Sequence, residues 1–306
     1  MKTSVTNPKI GLVLGSGASR GWSHIGIIKA LLKEGIKPDI VCGTSVGAMI
    51  GACYLAGNLE KLEEWVLASS RTDVYKFFNV KLTQSGFVDS NRLGSFLYDY
   101  VAAENMQIED LSQPFAAVAT NLRSGREIWF QKGGLAHAVS ASMALPGLFP
   151  AVRDNQQWLV DGGLVNPVPV STCRALGADI VIAVNLNSDI VGKRPNKKPA
   201  ENKDRKKGVL HNLKQTTKEM TNSIFPDNDK SEEAPGLFIS LTNSINIVQD
   251  RITRSRLAGD PAEVMISPRL AHIGMLEFHR AAEAIKEGEE CVQKRLDEIH
   301  KALDAD

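Results

Sequence analysis

The stretch Ile40-Val41-Cys42-Gly43-Thr44-Ser45-Val46-Gly47-Ala48-Met49-Ile50 decides the fold. It opens with an apolar run that predicts a buried strand, and it closes with residues that favour a helix. Between them, Gly43 to Gly47 form a G-x-S-x-G turn. A strand, a sharp turn and a helix in this order are typical of a nucleophile elbow, where small flanking residues leave a serine hydroxyl exposed above a sheet. The stretch therefore predicts Ser45 as a nucleophile, with a purely structural turn as the alternative.

Strands and helices alternate along the rest of the chain. Two apolar strands, Ile10–Leu14 and Asp179–Val184, each lie next to a segment with helical character. The runs Phe115–Thr120 and Glu127–Phe130 flank a Ser124-Gly125 turn and predict a hairpin. Further elements are expected at Trp22–Glu34, Leu59–Ala68, Asn91–Val101, Trp158–Val160, Thr172–Leu176, Leu237–Leu257, Glu263–Ile266 and Glu277–Leu303. Apolar strands that alternate with helices predict an α/β fold with a mostly parallel sheet covered on both faces.

Composition and charge narrow the class of protein. The 306 residues are 43% apolar with a formal net charge of +1, so no overall field favours nucleic acid or an anionic membrane. The four cysteines are widely spaced, show no metal-ligand spacing, and are expected to be reduced and buried. The polar N-terminus lacks the apolar core of a secretory signal, and no apolar run approaches the roughly 18 residues of a membrane span. We expect a cytoplasmic protein, with peripheral contact to the inner membrane face left open.

The composition changes after Ser188. From Val191 to Lys207 the chain has eight Lys or Arg residues against two acidic ones, with two prolines and no aromatic residue. Such a segment buries too little apolar surface to order itself. We therefore expect a flexible basic insertion over residues 191–235, with one helix around Val209 to Ile224. The insertion acts either as a solvated linker or as a contact to anionic lipid headgroups through Lys193 to Lys207.

A second glycine-rich turn, Gly15-Ser16-Gly17-Ala18-Ser19-Arg20-Gly21, follows the first predicted strand. Small residues before a helix let backbone amides converge on an anion, either a phosphate or the oxyanion of acyl transfer. The G-x-G-x-x-x-G spacing departs from the dinucleotide fingerprint, no acidic residue ends the second strand, and the G-K-[ST] of a P-loop is absent. Both glycine-rich turns follow strands of a parallel sheet, so we expect them at the edge where such sheets bind ligands.

The base that would activate Ser45 has two kinds of candidate. Asp161 ends the apolar run Trp158-Leu159-Val160 before two glycines, a pattern that fits either a turn or a catalytic carboxylate. The order Ser, Asp, His of the α/β-hydrolases would instead allow His272 or His279 to complete a triad. In those enzymes the elbow usually follows several strands, whereas here it follows the second predicted strand.

Together these motifs resemble the three ordered motifs of the patatin-like phospholipases. The glycine-rich turn ending in Arg20-Gly21, the Gly43–Gly47 elbow and Asp161-Gly162-Gly163 follow in the order of the family. The segment Ser142 to Pro150 also resembles the Ala-(Ile/Leu)-Pro-x-x-Phe segment of these proteins. The resemblance covers about Ile10 to Asn185. The tail is similar to the bacterial RssA-type subgroup of NTE- and patatin-related serine hydrolases, so we expect similarity nearly from end to end.

The resemblance implies a three-layer α/β/α sandwich and a Ser–Asp dyad without histidine. Ser45 would be the nucleophile, Asp161 the base, and the amides around Gly15, Ser16, Gly17 and Ala18 the oxyanion donors. Because Ser16 and Ala18 interrupt the usual glycine run, the resemblance leaves open which amides point inward. Arg20 is expected to anchor the loop, with contact to a lipid phosphate as the alternative. The residues expected to support the motifs are Arg20, Gly21, Gly43, Gly47, Gly162 and Gly163.

The function implied by the resemblance is a serine lipid acyl hydrolase that cleaves fatty acyl esters of the phospholipase, lysophospholipase or esterase type. No metal and no cofactor are implied. The apolar stretch Met143 to Phe149 either lines an acyl pocket or packs in the core. One patatin-like domain is expected over residues 1–306, with its motifs in 10–185 and helices from 236 onward completing it. The alternative is a catalytically weak protein on the same fold that binds lipid or a regulatory partner. The sequence leaves the natural lipid and the oligomeric state undetermined.

Overall fold

A central sheet organises the fold, and eight of its strands lie in the described part of the chain. The computed structural model of the protein describes residues 8–73, 90–190 and 237–304. The strands are β1 (Ile10–Leu14), β2 (Ile40–Thr44), β3 (Phe115–Asn121), β4 (Glu127–Phe130), β5 (Val152–Asp154), β6 (Gln157–Asp161), β7 (Ile180–Val184) and β8 (Val264–Ile266). Their order is β5-β6-β3-β2-β1-β7-β8, with β4 paired to β3 off this path. Four of the seven described strand pairs are parallel, which confirms a mostly parallel sheet.

Helices cover both faces of this sheet. They are α1 (Ser23–Lys33), α2 (Val46–Leu55), α3 (Leu59–Ala68), α4 (Ser90–Tyr100), α5 (Leu135–Ser142), α6 (Val170–Ala175), α7 (Leu237–Gly259) and α8 (Ala281–Leu303). Leu12 and Leu14 of β1 pack in the larger apolar cluster with α1, α2 and α8, whereas Val13 packs in a second cluster with α6. Successive strand residues point to opposite faces, so the fold is the expected three-layer α/β/α sandwich. None of the described helices is long and apolar enough to cross a bilayer.

Most of the predicted elements are confirmed. Helix α3 has the predicted bounds, and β3 and β4 form the predicted hairpin. Helix α5 and strand β5 were not predicted. The helix has eight residues, rich in alanine and serine, and the strand has three, so both are too short to show a hydrophobic period. The four cysteines are buried and free, as expected. The insertion expected over 191–235, with its helix around 209–224, lies outside the described residues.

Strand β3 brings the ends of β2 and β6 together. Thr44, the last residue of β2, pairs with Val118, and Asp161, the last residue of β6, pairs with the next residue, Ala119. Strand β4 pairs with residues of β3 that also pair with β2 or with β6. It therefore lies along one edge of β3, and β2 and β6 share the other edge. Because β2 runs parallel to β3 and β6 runs antiparallel, their C-terminal ends point at each other. The sheet therefore places Ser45, directly after β2, beside Asp161.

Candidate active site

The G-x-S-x-G turn adopts a strained elbow between β2 and α2. Ser45 has φ 58° and ψ −125°, in the region with positive φ that residues other than glycine rarely adopt. The flanking glycines have no room for a side chain. A Cβ at Gly43 would collide with the backbone of Ala48, and one at Gly47 would collide with the carbonyl of Leu14. Strain of this kind persists only where the surrounding packing holds it, and it is common at functional sites.

The Ser45 hydroxyl donates a hydrogen bond of 2.6 Å to Oδ2 of Asp161. The other carboxylate oxygen, Oδ1, accepts the backbone N–H of Gly163 at 2.7 Å. Asp161 is only 1% exposed, and this burial raises its pKa from 3.8 to about 6, although the hydrogen bonds from Ser45 and Gly163 act in the opposite direction. The pair joins a partly exposed hydroxyl to a buried carboxylate that is ionised at neutral pH.

A short segment at the C-terminal end of α5 holds both members of this pair. The hydroxyl of Ser142 accepts the backbone N–H of Ser45 at 2.8 Å and donates to the carbonyl of Val118 at 2.6 Å. Two residues later, the carbonyl of Ala144 accepts the backbone N–H of Asp161 at 3.0 Å. The sequence did not predict this positioning role for Ser142, although the segment Ser142 to Pro150 was recognised from its resemblance to the family.

The glycine-rich turn after β1 uses some of its amides within the fold. Gly15 N–H donates to the Val184 carbonyl at 3.1 Å, and Ser16 N–H donates to the Pro167 carbonyl at 2.9 Å. Within the described part of the chain, the amides of Gly17 and Ala18 have no hydrogen-bond partner. Ala18 has a positive φ of 49° and lines the same cavity as Ser45. Of the four residues expected to supply oxyanion donors, only Gly17 and Ala18 therefore keep a backbone amide without a partner among the described residues.

Arg20 is buried beneath this turn. Its Nε donates to the carbonyl of Gly17 at 3.1 Å, and its Nη2 donates to Oδ1 of Asn246 at 3.2 Å. Burial lowers its pKa to about 10, and the charge of Asp189 opposes that shift, so the guanidinium remains charged at neutral pH. With only 3% of its surface exposed, Arg20 lies where an anchor of the loop would lie, and it is not placed to meet a lipid phosphate.

The remaining motif glycines sit at close contacts. A Cβ at Gly21 would overlap the side chain of Val46, so the turn and the elbow pack directly on each other. A Cβ at Gly162 would overlap the carbonyl of Val118, and one at Gly163 would overlap the side chain of Gln249. These glycines keep three loops in contact around Ser45.

The described histidines bond to groups other than Ser45 and Asp161, or make no side-chain hydrogen bond that bears on the pair. No hydrogen bond joins Ser45 or Asp161 to any of the five histidines in the described ranges, and His211 lies outside those ranges. His272 bonds to Glu283 on the surface. His24 is fully buried with Nε2 at 2.8 Å from the Gly15 carbonyl, and burial lowers its pKa to about 4, so the neutral ring donates to the loop.

A narrow apolar cavity of about 60 Å³ lies beside Ser45. Its walls come from the elbow, from the glycine-rich turn with the adjoining Trp22, and from helices α3 and α4. Four side chains of the Met143–Phe149 segment contribute, and three of them are also buried. The segment thus lines the cavity and packs in the core at once. The apolar lining residues are Ala18, Trp22, Val46, Met49, Trp65, Val66, Leu93, Phe96, Met143, Leu145, Leu148, Phe149 and Phe278.

The comparison with known families matches the same motifs. A model of the family described as patatin-like phospholipase matches residues 12–174. The chain belongs to the patatin-like phospholipase family. The match covers the glycine-rich turn, the elbow and Asp161, so the family motifs and the geometry described above coincide in one place.

Several patatin-like relatives are similar over different lengths. An uncharacterized NTE family protein of Mycobacterium tuberculosis is 28% identical over 95% of this chain and 92% of its own length. Human patatin-like phospholipase domain-containing protein 6 is 36% identical over 60% of this chain and 14% of its own length. Lysophospholipase NTE1 of Phaeosphaeria nodorum is 35% identical over 58% of this chain and 12% of its own length. The family and these names indicate a lipid hydrolase, whereas the RssA-type subgroup stays a prediction.

Helix α7, which follows the residues matched by the patatin-like family model, contacts two loops of the site. Gln249 Oε1 accepts from the hydroxyl of Ser16 at 3.2 Å and from Nδ2 of Asn187 at 3.0 Å. The same side chain lies against Gly163, next to Asp161. Within the described residues, no group of three or more His, Cys, Asp or Glu side chains is placed to hold a metal ion.

Proposed function

We propose that this protein is a serine lipid acyl hydrolase that uses a Ser45–Asp161 dyad. The observation that carries the proposal is the 2.6 Å hydrogen bond from the Ser45 hydroxyl to the buried Asp161 carboxylate. A base within hydrogen-bond reach of a serine hydroxyl is the arrangement that nucleophilic catalysis requires. The buried carboxylate has a pKa of about 6, which is near neutrality, where a general base is most effective.

In the first step, Ser45 Oγ attacks the acyl carbonyl carbon while its proton passes to Oδ2 of Asp161. The carbonyl oxygen becomes an oxyanion, for which the amides of Gly17 and Ala18 are the available donors. Collapse of the tetrahedral intermediate breaks the ester bond, and the departing alkoxide takes the proton from Asp161. Each oxyanion donor is typically worth about 10²–10³ in rate.

In the second step, water releases the acyl group. Asp161 takes a proton from the attacking water, whose oxygen adds to the acyl carbonyl. The second tetrahedral intermediate expels Ser45 Oγ, which regains a proton from Asp161, and a fatty acid leaves. The enzyme returns to its starting protonation state, so the cycle uses only ester and water, without metal or cofactor.

The substrate class we propose is a fatty acyl ester, such as a phospholipid or lysophospholipid. Two observations support it: the walls of the cavity beside Ser45 are apolar, and relatives carry the names phospholipase and lysophospholipase. The cavity is narrow, so a long acyl chain requires its lining to separate. Met49 and Met143 are unbranched side chains that adjust readily to such a change.

We further propose that residues 1–306 form one patatin-like domain that meets lipid at the face of a membrane. Strand β8 extends the central sheet beside β7, and α8 packs along α1, which supports the inclusion of the C-terminal elements. We propose that residues 191–235 are a basic insertion within this domain.

Labelling with a fluorophosphonate probe tests the mechanism. We expect the wild type to label and to hydrolyse esters, and Ser45→Ala to do neither. Equal labelling of Ser45→Ala, or no labelling of the wild type, would refute the hydrolase and favour the regulatory alternative. His272→Ala and His279→Ala serve as matched variants and should retain activity; loss in either would reopen the triad. A panel of monoacyl and diacyl phospholipids, monoglycerides and acyl thioesters then identifies the substrate.

A further inference from the structure

Helix α7 buries four polar side chains along one side. Asn246, Gln249, Asp250 and Thr253 recur at intervals of three and four residues, and all four are buried. A helix on the surface of a globular protein ordinarily buries an apolar stripe and exposes polar residues. The buried polar stripe is explained by its contacts, because Asn246 bonds to Arg20 and Gln249 bonds to Ser16 in the glycine-rich turn.

Three large apolar side chains lie on the outward side of the same helix, among the exposed polar residues Asn243, Ser244, Arg251, Arg254 and Ser255. Leu241, Ile247 and Val248 are 42%, 48% and 45% exposed. They account for three of the eight large hydrophobic side chains that are exposed in the described part of the chain. Single exposed hydrophobic residues are common on protein surfaces, but several on one helix that also turns its polar stripe inward indicate an interaction surface. We call Leu241, Ile247, Val248 and Arg251 the outer face of α7.

The outer face carries one positive charge, that of Arg251. Asp250, the only carboxylate in α7, is buried and pairs with Arg254 at 2.9 Å. Arg256 pairs with Glu127 at 2.7 Å. Arg251 is exposed and has no ion-pair partner among the described residues. Apolar side chains together with an arginine that has no ion-pair partner complement a surface of anionic lipids.

The outer face adjoins the cavity of the proposed hydrolase. Leu241 lies close to Gly147, where an added Cβ would come within 3.2 Å of Leu241 Cδ2. Gly147 belongs to the Met143–Phe149 segment, whose side chains line the cavity beside Ser45. Lipid held against Leu241 would therefore lie next to the walls of the cavity.

We propose that the outer face of α7 docks the protein on an anionic phospholipid surface. The docking gives the proposed hydrolase its access to lipid, and in that sense it rests on the proposed function. The inner stripe holds the glycine-rich turn while the outer side chains enter the boundary between headgroups and acyl chains. Docking through α7 thus presents the cavity to the surface in a fixed orientation.

Co-sedimentation with vesicles tests the proposal on the full chain. The probes are vesicles of phosphatidylcholine alone and vesicles with about 30% phosphatidylserine, a content that gives the surface a negative potential. We expect the wild type to partition to the phosphatidylserine vesicles, and Ile247→Asp and Val248→Asp each to lower that partition about tenfold, because each removes an aliphatic anchor. Arg251→Gln should weaken binding to anionic vesicles and leave residual binding to phosphatidylcholine unchanged.

Leu122→Asp is the matched control, since Leu122 is 56% exposed but lies outside α7. It should bind vesicles as the wild type does. All variants should keep the wild-type melting temperature and the wild-type rate on a short-chain ester in solution. Wild-type binding by Ile247→Asp, or an equal loss in Leu122→Asp, would overturn the proposal. So would conversion of a dimer to a monomer by Ile247→Asp, with vesicle binding unchanged. Vesicle binding by a wild type that hydrolyses no ester would refute the hydrolase alone.

Discussion

Replacing Asp161 with asparagine should strongly lower kcat and stabilise the protein. Asparagine has the shape of aspartate, its Oδ1 can still accept the Gly163 N–H, and its amide can face the Ser45 hydroxyl. Asparagine cannot take the proton of Ser45, however. Because positioned general-base catalysis is typically worth about 10²–10⁴, we expect kcat to fall by that factor.

The gain in stability follows from the raised pKa of Asp161. Burial moves that pKa from 3.8 to about 6, so the folded state binds the proton more tightly than the unfolded chain does. Below pH 4 the carboxyl is protonated in both states and adds no cost. As the pH rises from about 4 to about 6, the unfolded chain ionises first, and the folded protein loses stability. The shift of about two pKa units corresponds to about 3 kcal/mol above that window.

Urea unfolding at several pH values measures this effect. Asp161→Asn should be about 3 kcal/mol more stable than the wild type at pH 8, and the difference should vanish below pH 4. Asp297→Asn, a change at an exposed position on α8, is the control and should show no such gain. A less stable Asp161→Asn protein at pH 8, or a gain that does not depend on pH, would refute the reasoning that burial raises the pKa of Asp161.

Three further predictions concern the same loops. The kcat/KM of the wild type should rise with pH through about 6, as Asp161 ionises; a flat profile from pH 5 to 8 would count against this base. Ser142→Ala leaves the Ser45 N–H and the Val118 carbonyl without their partner. We therefore expect the free energy of unfolding, measured in urea, to fall by about 1–3 kcal/mol, and kcat to fall with KM unchanged. The control, Ser140→Ala on the same helix, should change neither the stability nor kcat. Ala18→Gly relieves a positive φ and should keep full activity without loss of stability; a drop in melting temperature would contradict that expectation.

The parts of the site that follow from local sequence were the ones that could be predicted. The elbow is a strand, a turn and a helix within one stretch, so its backbone and the exposure of Ser45 depend on neighbours in the chain. Asp161 is 116 residues away, and its sequence context also fits an ordinary turn. The need of Ser45 for a base made it a candidate, and the resemblance to the patatin-like family selected it over His272 and His279. The pairing of β2 and β6 along one edge of β3, which brings the two residues together, has no local signature.

Other parts depend on which polar groups the rest of the fold has already used. The four amides of the glycine-rich turn look equivalent in the sequence. Only the folded chain shows that the amides of Gly15 and Ser16 donate to Val184 and Pro167 and are therefore unavailable to an oxyanion. The buried polar stripe of α7 is equally hidden, because its partners in the glycine-rich turn, Ser16 and Arg20, lie more than 200 residues earlier in the chain.

The position of Asp161 on a strand explains how the proposed dyad would work without a third residue. In a Ser-His-Asp triad, the imidazole is a mobile ring that its aspartate must orient. Here the backbone of Asp161 is fixed on both sides, since its N–H donates to Ala144 and its carbonyl accepts from Thr120 at 2.8 Å. Its Oδ1 is held by Gly163, so the carboxylate cannot rotate away from Ser45 without breaking a buried hydrogen bond. The sheet and the turn thus supply the orientation that a further side chain supplies in the triad.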